Sequence, residues 1–323
     1  MKILVTGGAG YIGGTVATVL LQAGHEVTVL DNLCHSKRNE VPDGATFVQL
    51  DIADRPQVEA LLRELKPAGV LHFAALIEAG DSMRIPEVYF RNNTASTLAL
   101  LEAMHATGTN KLVFSSTAAV YGEPVSVPIL EAAALKPTNA YGESKLLVEY
   151  MLQWFHRIHG LRYASLRYFN VAGALPHRGE AHEPETHIIP LILDVALGRR
   201  DKILIFGDDY DTPDGTCIRD YIHVTDLAAA HVLALQALET KDRLICNLGN
   251  GQGFSVKEVV EAARRVTGHP IPVEIRDRRA GDPARLVAGS ALAKQELGWQ
   301  PAIPEIEKIL DSAWKWHQQR YSK

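Results

Sequence analysis

The chain has 323 residues, of which 46% are apolar and 22% charged, and its formal net charge is −5 at pH 7. These values are typical of a globular protein with one large α/β unit and a smaller lobe. The charge gives no reason to expect a nucleic acid or an anionic membrane as partner, and no apolar run approaches the ~18 residues of a membrane span.

The first thirty-one residues predict a dinucleotide site. Lys2–Thr6 is a short apolar run typical of a buried strand, and Gly7, Gly10 and Gly13 follow it at G-x-x-G-x-x-G spacing. Such glycines let the backbone approach a pyrophosphate, and the next helix points its N-terminus at the phosphates. A second strand, Glu26–Leu30, ends on Asp31, whose carboxylate suits ribose hydroxyls and repels a 2′-phosphate. We therefore expect NAD rather than NADP.

A strand–helix alternation continues from this motif to residue 115. Repeated βαβ units of this length predict a Rossmann-type, doubly wound parallel sheet of the α/β class. The predicted strands are Thr46–Leu50, Gly69–Phe73 and Lys111–Ser115, and the predicted helices are Arg55–Leu65 and Val88–Ala106.

Ligands bind such sheets beyond the carboxyl ends of the strands. This rule predicts that Asp51, Phe73–Ala75, Asn92 and Ser115 surround one crevice. Asp51 has an alternative interpretation as a plain turn residue or cap.

From residue 171 the alternation weakens, and residues 173–190 read as an irregular connection. Later elements are predicted as helices Ile189–Leu197, Thr225–Leu238, Ser255–Val266 and Ile306–Trp316, with strands Ile203–Phe206 and Leu244–Leu248. The last strand is expected to return to the main sheet. We predict an NAD-binding domain over 1–170, with return elements near 219–248. A smaller mixed α/β lobe over 171–323 would mainly bind substrate.

The expected chemistry centres on Tyr141 and Lys145, which stand one turn apart on a helix running to about His159. A free tyrosine has a pKa of about 10, so it is a poor base at neutral pH. A nearby ammonium and a positively charged nicotinamide would favour the phenolate, which then takes a hydroxyl proton as hydride leaves for NAD. The Thr117 hydroxyl would bind the same substrate oxygen. Taken alone, this spacing also fits a surface Tyr/Lys pair.

Together with the glycine motif, these residues resemble the extended short-chain dehydrogenase/reductase family, in its NAD-dependent epimerase/dehydratase type. The resemblance covers essentially the whole chain. Its motifs include Thr6–Gly13, Asp31–Cys34, His72–Ala75, Ser115–Gly122, Leu166–Asn170, Ile205–Gly207, Asp214–Thr216, Arg219–Val224 and Arg278–Asp282.

The resemblance implies a set of residues around NAD. They are Gly7, Gly10, Tyr11, Ile12, Gly13, Asp31, Asn32, Leu33, Asp51, Ile52, Phe73, Ala74, Ala75, Asn92, Ser115, Tyr141, Lys145, Tyr168 and Phe169. It also implies a nucleotide-sugar site in which Arg219 and Arg279 hold a diphosphate, Asp282 reaches the uridine ribose, and Phe206 lies against the uracil. The full substrate set is Thr117, Tyr141, Asn170, His187, Ile188, Phe206, Arg219, Arg279, Asp282 and Leu286.

The implied reaction is reversible C4 epimerisation of a UDP-hexose, UDP-glucose or UDP-galactose, through a 4-keto intermediate with tightly bound NAD. Ala118 and Ala119 stand where dehydratases of the family carry carboxylates, which argues against elimination of water. UDP-N-acetylglucosamine and UDP-pentoses stay open as substrates, because Leu286 occupies the position that admits or rejects an N-acetyl group. A net NAD-dependent dehydrogenase or reductase, and an NAD-sensing binding protein, are further alternatives.

Two departures from the family pattern bear on binding. His187 replaces an asparagine found near the uracil in some epimerases, and Ile77 stands where some relatives carry a lysine. The family also implies a homodimer, formed through the helices around Val88–Ala106 and Tyr141–His159.

No histidine spacing predicts a metal site. The predicted first strand begins at residue 2, which leaves no room for a signal peptide. Cys34, Cys217 and Cys246 form no C-x-x-C pair, which favours reduced thiols and a cytoplasmic location.

Overall fold

The computed structural model describes residues 1–279 and 282–321. Ala280 and Gly281, inside the Arg278–Asp282 motif, lie outside the described residues. The strands are β1 Lys2–Thr6, β2 Glu26–Asp31, β3 Thr46–Gln49, β4 Gly69–His72, β5 Lys111–Thr117, β6 Arg162–Tyr168, β7 Asn170–Ala172, β8 Ile203–Phe206, β9 Ile218–His223, β10 Arg243–Leu248, β11 Gly253–Ser255, β12 Val273–Arg276 and β13 Arg285–Leu286. The α-helices are α1 Tyr11–Gln22, α2 Arg55–Leu65, α3 Ala79–Ser82, α4 Pro86–Tyr89, α5 Ser96–Thr107, α6 Ala140–His159, α7 Ile188–Ala196, α8 Val224–Ala237, α9 Val256–Thr267, α10 Ala291–Leu297 and α11 Ile306–Tyr321.

Seven parallel strands form the main sheet, in the order β10–β6–β5–β4–β1–β2–β3. The order reverses between β1 and β4, so the loops that follow these two strands diverge and leave a crevice between them. The predicted doubly wound α/β sheet is confirmed, and so is the return of the strand near 244–248 to it.

The main sheet is covered on both faces, because successive strand side chains point to opposite sides. Ile3 and Val5 of β1 pack with helices α1 and α8 in one core, whereas Leu4 packs with α2, α5 and α6 in the other. Burial on both faces explains why the strands read as continuous apolar runs and show no polar alternation.

A second region is built around β9, which pairs with β7, β11 and β13, and around the parallel pair β8–β12. Helices α7, α9 and α11 contribute to its separate apolar core, in which Ile192, Val259 and Ile309 are fully buried. This region supplies several of the residues expected to bind substrate.

Strands β1 and β8 and helix α2 have the predicted bounds, and most other predicted elements differ by one or two residues. The predicted single helix Val88–Ala106 is wrong in detail: α4 and α5 are joined by a π-helical segment, Phe90–Ala95. Strands β6, β7, β9, β11, β12 and β13 and helices α3 and α10 were not predicted. Within the described residues, no helix is both long enough and apolar enough to cross a bilayer.

Candidate active site

A cavity of about 590 Å³ lies at the crevice where the strand order of the main sheet reverses. It is lined by the loops after β1, β2, β4 and β5, the start of α6, and residues 168–171. Every residue expected to contact the cofactor lines this cavity except Leu33. The expected crevice containing Asp51, Phe73–Ala75, Asn92 and Ser115 is therefore confirmed.

Two glycines shape the floor of the cavity by the close approach of backbone segments. A Cβ atom on Gly7, whose φ is +70°, would lie 2.5 Å from the backbone nitrogen of Ala74. A Cβ on Gly13 would lie 2.3 Å from the carbonyl oxygen of Gly7. Side chains at either position would push the chain apart at the place where a pyrophosphate must meet backbone N–H groups.

Two acidic side chains, Asp31 at the end of β2 and Asp51 after β3, line the cavity. Asp31 accepts hydrogen bonds from the backbone N–H groups of Ala9 (3.1 Å) and Leu33 (2.9 Å), which fix its carboxylate at the end of β2. Leu33 thus supports Asp31 through its backbone, and its side chain does not line the cavity. Asp51 accepts from Ala53 N–H at 2.8 Å and from the Asn32 amide at 3.0 Å, so it is a turn residue that also lines the cavity.

The three expected catalytic side chains meet at the far end of the cavity. The Thr117 hydroxyl, at the end of β5, hydrogen-bonds the phenol of Tyr141 in the first turn of α6. Lys145 is 3% exposed, and its Nζ donates to the carbonyl oxygen of Ser115 at 2.9 Å. The Asn139 side chain caps α6 by accepting from Gly142 N–H at 2.8 Å, which fixes the helix start that carries Tyr141.

The pKa values of Tyr141 and Lys145 differ from those expected for a phenolate beside an ammonium. Burial raises the pKa of Tyr141 to about 12, although the hydrogen bond with Thr117 opposes this change. Burial also lowers the pKa of Lys145 to about 7. The lysine is thus partly neutral near pH 7, and the protein groups alone do not produce the expected phenolate. A positive charge on a bound ligand beside Tyr141 is needed to favour it.

Lys145→Met is expected to make the folded protein more stable at neutral pH while removing activity. A lysine whose folded pKa lies below its unfolded value of about 10.4 destabilises the fold most at pH 7 and below, and this cost disappears as the pH rises through 10. The variant should gain on the order of 1–4 kcal/mol at pH 7, and the gain should shrink as the pH rises and approach zero above about pH 11. Urea unfolding at several pH values measures it. A gain that does not vary with pH, or one equal to that of the exposed-residue control Lys294→Met, would contradict this prediction.

The expected substrate residues divide into two groups. Thr117, Tyr141, Asn170 and His187 line the cavity, whereas Ile188, Phe206, Arg219, Arg279, Asp282 and Leu286 lie outside it.

Most of the second group forms its own cluster. The guanidinium of Arg279 lies 3.9 Å from the centre of the Phe206 ring, and Arg219 forms an ion pair with Asp282. Leu286 pairs in register with Arg219 and packs in an apolar cluster with Phe169, a residue of the cavity wall. The two groups are therefore adjacent through Leu286 and Phe169.

A loop over residues 173–187 covers the cavity, and the sequence interpretation assigned a role only to its last residue, His187. Its Gly173 carbonyl accepts from the Tyr11 hydroxyl at 2.6 Å, and its Arg178 guanidinium donates to the carbonyls of Gly10 and Glu40. Residues 177–182 line the cavity. The many His, Glu and Arg residues of this segment could have indicated a role at the site. A connection that only joins two elements needs few charged side chains facing inward.

The chain is similar in sequence to a known family of proteins and to individual members of it. The model of the NAD dependent epimerase/dehydratase family matches residues 3–249. A UDP-glucose 4-epimerase of Corynebacterium glutamicum is 54% identical over 314 residues, with 97% of this chain and 95% of that protein covered.

Two solved structures are similar over nearly their whole length. One is a UDP-glucose 4-epimerase from Brucella ovis in complex with NAD (45% identity, TM-score 0.94, 97% of each chain covered). The other is a UDP-glucose 4-epimerase from Bifidobacterium longum in complex with NAD⁺ and UDP (37% identity, TM-score 0.94, 100% of this chain and 99% of that chain covered).

Proposed function

The chain belongs to the NAD dependent epimerase/dehydratase family, and we propose that the cavity beside Tyr141 interconverts UDP-glucose and UDP-galactose. The reaction is reversible C4 epimerisation with NAD as cofactor. The observation that carries this function is the meeting of Thr117, Tyr141 and Lys145 in a cavity that the glycine motif also lines, in a chain 54% identical to a UDP-glucose 4-epimerase.

The cavity fits NAD on its own geometry. Gly7 and Gly13 leave no room for side chains where the pyrophosphate would lie, and Asp31 is held by two backbone N–H groups where the adenosine ribose would lie. When bound, NAD accepts a hydride from the sugar and returns it. Ser115, Tyr168 and Phe169 line the end of the cavity that would hold the nicotinamide.

Three side chains of the protein take part in the proposed reaction, one as the acid–base group and two by positioning. We infer that Tyr141 takes the C4 hydroxyl proton as the hydride leaves and gives it back when the ketone is reduced. Thr117 orients the same oxygen, and Lys145 anchors the helix turn below the phenol through its hydrogen bond to Ser115. Inversion requires that the 4-keto sugar present its other face before the hydride returns.

Elimination of water is disfavoured by the residues after Thr117. A dehydratase needs an additional acid and base beside the sugar, and Ala118 and Ala119 can neither donate nor accept a proton. Without them, the ketone intermediate has only reduction available.

We propose that Arg219 and Arg279 bind the diphosphate of the substrate and that Asp282 binds the uridine ribose. Arg219 and Asp282 contact each other in the structure, so substrate must exchange this ion pair for contacts of its own. The side chain of Arg219 is only 10% exposed, which favours a fixed guanidinium suited to bidentate phosphate binding. The Phe206 ring beneath Arg279 offers an apolar face for the uracil.

The experiment that tests this function is a conversion assay with retained cofactor. Purified protein is mixed with UDP-galactose, without added NAD, and UDP-glucose is measured by chromatography. Conversion without net formation of NADH is expected. Stoichiometric NADH would instead indicate a net dehydrogenase, and no conversion even with added NAD would contradict the proposed function.

Leu286 is expected to set the size of the group accepted at C2. It is half-buried against the cluster that contains Phe169 and Ala118. Leu286→Gly should raise the ratio of UDP-N-acetylglucosamine to UDP-glucose activity about 10- to 100-fold, and Leu286→Tyr should lower it, since pocket volume changes of this size are worth about 1–3 kcal/mol. The ratio of kcat/KM values measures it, with the exposed Val125→Tyr as control. Equal ratios in both Leu286 variants would contradict the assignment.

We further propose that residues 1–170, with return elements near 219–248, bind the cofactor and that residues 171–323 mainly bind the nucleotide sugar. A homodimer is supported by exposed apolar side chains on and near the helices named in the sequence analysis: Met83, Ile85, Val88, Leu98, Trp154 and Ile158. Size-exclusion chromatography with light scattering tests it, and a monomer at micromolar concentration would argue against it. A cytoplasmic location is supported by the absence of disulfides among the three cysteines.

A further inference from the structure

Three side chains that the reaction does not use converge at the edge of the cofactor cavity. His35 follows β2, Glu78 precedes α3, and His182 belongs to the loop over residues 173–187. One ligand atom from each lies within 4.8 Å of those from the other two. The residues come from three distant segments, so no spacing in the sequence reveals the cluster.

We propose that His35, Glu78 and His182 bind a divalent transition-metal ion of the Zn²⁺ type. Two imidazole nitrogens and one carboxylate oxygen are the donor set of three-ligand zinc sites, which leave a fourth position for water or another ligand.

The groups around the ligands are arranged as metal sites require. The Nδ1 atom of His182 is hydrogen-bonded to the Pro184 carbonyl at 3.0 Å, so Nε2 is the nitrogen that faces Glu78. Glu78 accepts from the Tyr89 hydroxyl (2.9 Å) and Ile77 N–H (3.1 Å) through Oε2, which leaves Oε1 for the cluster. Outer partners of this kind fix the orientation of metal ligands and are worth 10- to 100-fold in affinity.

Binding of a metal ion would require only small movements of the three ligand side chains. Ligand atoms around a tetrahedral Zn²⁺ lie about 3.4 Å apart, given metal–ligand bonds of about 2.0–2.2 Å. Oε1 of Glu78 and Nε2 of His182 are 2.8 Å apart, so they would separate slightly as the metal replaces the proton between them. His35 is exposed and its ring stacks on His182 with 5.8 Å between centres, so it can rotate inward without disturbing a core.

A bound ion would join the loop over residues 173–187 to the two segments that it covers. Because all three ligands line the cavity and one belongs to the loop that covers it, the ion would slow exchange of a molecule held inside. This consequence rests on the proposed binding of NAD there, whereas the metal site itself does not.

The test uses the NAD-containing protein, purified without a histidine tag. Equilibrium dialysis against Zn²⁺ followed by elemental analysis should give one ion per chain. His35→Ala and His182→Ala should each weaken binding at least tenfold, and Tyr89→Phe should weaken it about tenfold. His105→Ala is the matched control, because His105 and His159 form another close histidine pair, with ring centres 4.0 Å apart.

The same variants distinguish metal binding from the expected effect of the metal on NAD exchange. Zn²⁺ should slow NAD exchange in the native protein and in His105→Ala but not in His35→Ala. Failure to bind one ion per chain, or unchanged affinity in His35→Ala or His182→Ala, overturns the site. Binding of one ion per chain with an unchanged rate of NAD exchange would overturn only the proposed slowing of that exchange.

Discussion

Tyr141→Phe is expected to lower kcat for UDP-galactose about 10³-fold or more, with little change in KM or in the amount of retained NAD. General acid–base catalysis contributes about 10²–10⁴-fold, and two neighbouring polar groups of the cavity already have partners. Lys145 is committed to the Ser115 carbonyl, and the Tyr168 hydroxyl pairs with the Ser115 side chain. Loss of one oxygen atom leaves the packing of α6 intact, so the effect should appear in the chemical step.

The matched control is Tyr150→Phe, on the same helix at a position where the side chain is exposed. Its kcat should stay within twofold of the native value. Retention of more than a tenth of native kcat in Tyr141→Phe would show that the proton passes through another group, and Thr117→Val would then be the next variant to measure. Unfolding midpoints of both tyrosine variants establish that the fold is unchanged.

Glu149→Ala is expected to destabilise the protein by about 3–5 kcal/mol, the cost of leaving a buried charge without its partner. Glu149 is 1% exposed and Arg167 is 3% exposed. The Arg167 Nε donates to one carboxylate oxygen at 2.9 Å, and its terminal nitrogen donates to the other at 2.5 Å. The Ser116 hydroxyl also donates to Glu149 at 2.6 Å, and Arg167 donates to the Tyr121 hydroxyl at 3.0 Å. Removal of the carboxylate therefore leaves Nε and one terminal nitrogen of a buried guanidinium, together with the Ser116 hydroxyl, without acceptors.

Urea unfolding measures the loss. Asp311→Ala removes the exposed ion pair of Asp311 with Lys315 and should cost less than about 1 kcal/mol, because water screens that pair. The double variant Glu149→Leu/Arg167→Leu should lose less stability than Glu149→Ala, since it removes the buried charge together with its partner. A loss in Glu149→Ala no larger than that in Asp311→Ala would contradict the buried-pair explanation.

The Glu149–Arg167 pair also supports the active site. Glu149 lies one turn after Lys145 on α6, and Arg167 immediately precedes Tyr168 at the end of β6. The pair thus joins the helix that carries Tyr141 and Lys145 to the strand that delivers Tyr168 and Phe169. Arg167 itself does not line the cavity, so we expect it to act by positioning Tyr168 and Phe169, which do.

Local patterns of the sequence determined the cofactor half of the protein. The glycine spacing after β1, the acid at the end of β2 and the Tyr141/Lys145 pair lie within single βαβ units or one helix turn, where chain geometry alone fixes neighbours. The parallel sheet, which is buried on both faces, could be predicted because its strands are continuous apolar runs. These features predicted the fold, the family and the cavity lining.

Only the tertiary structure decided what depends on distant segments. Burial by several elements raises the pKa of Tyr141 and lowers that of Lys145, against the simple expectation, because desolvation is the largest effect on both groups. The Arg219–Asp282 pair, the loop over residues 173–187 and the His35–Glu78–His182 cluster each join residues from separate parts of the chain. Sequence spacing carries no information on such contacts, since they arise when the sheet and its loops pack together.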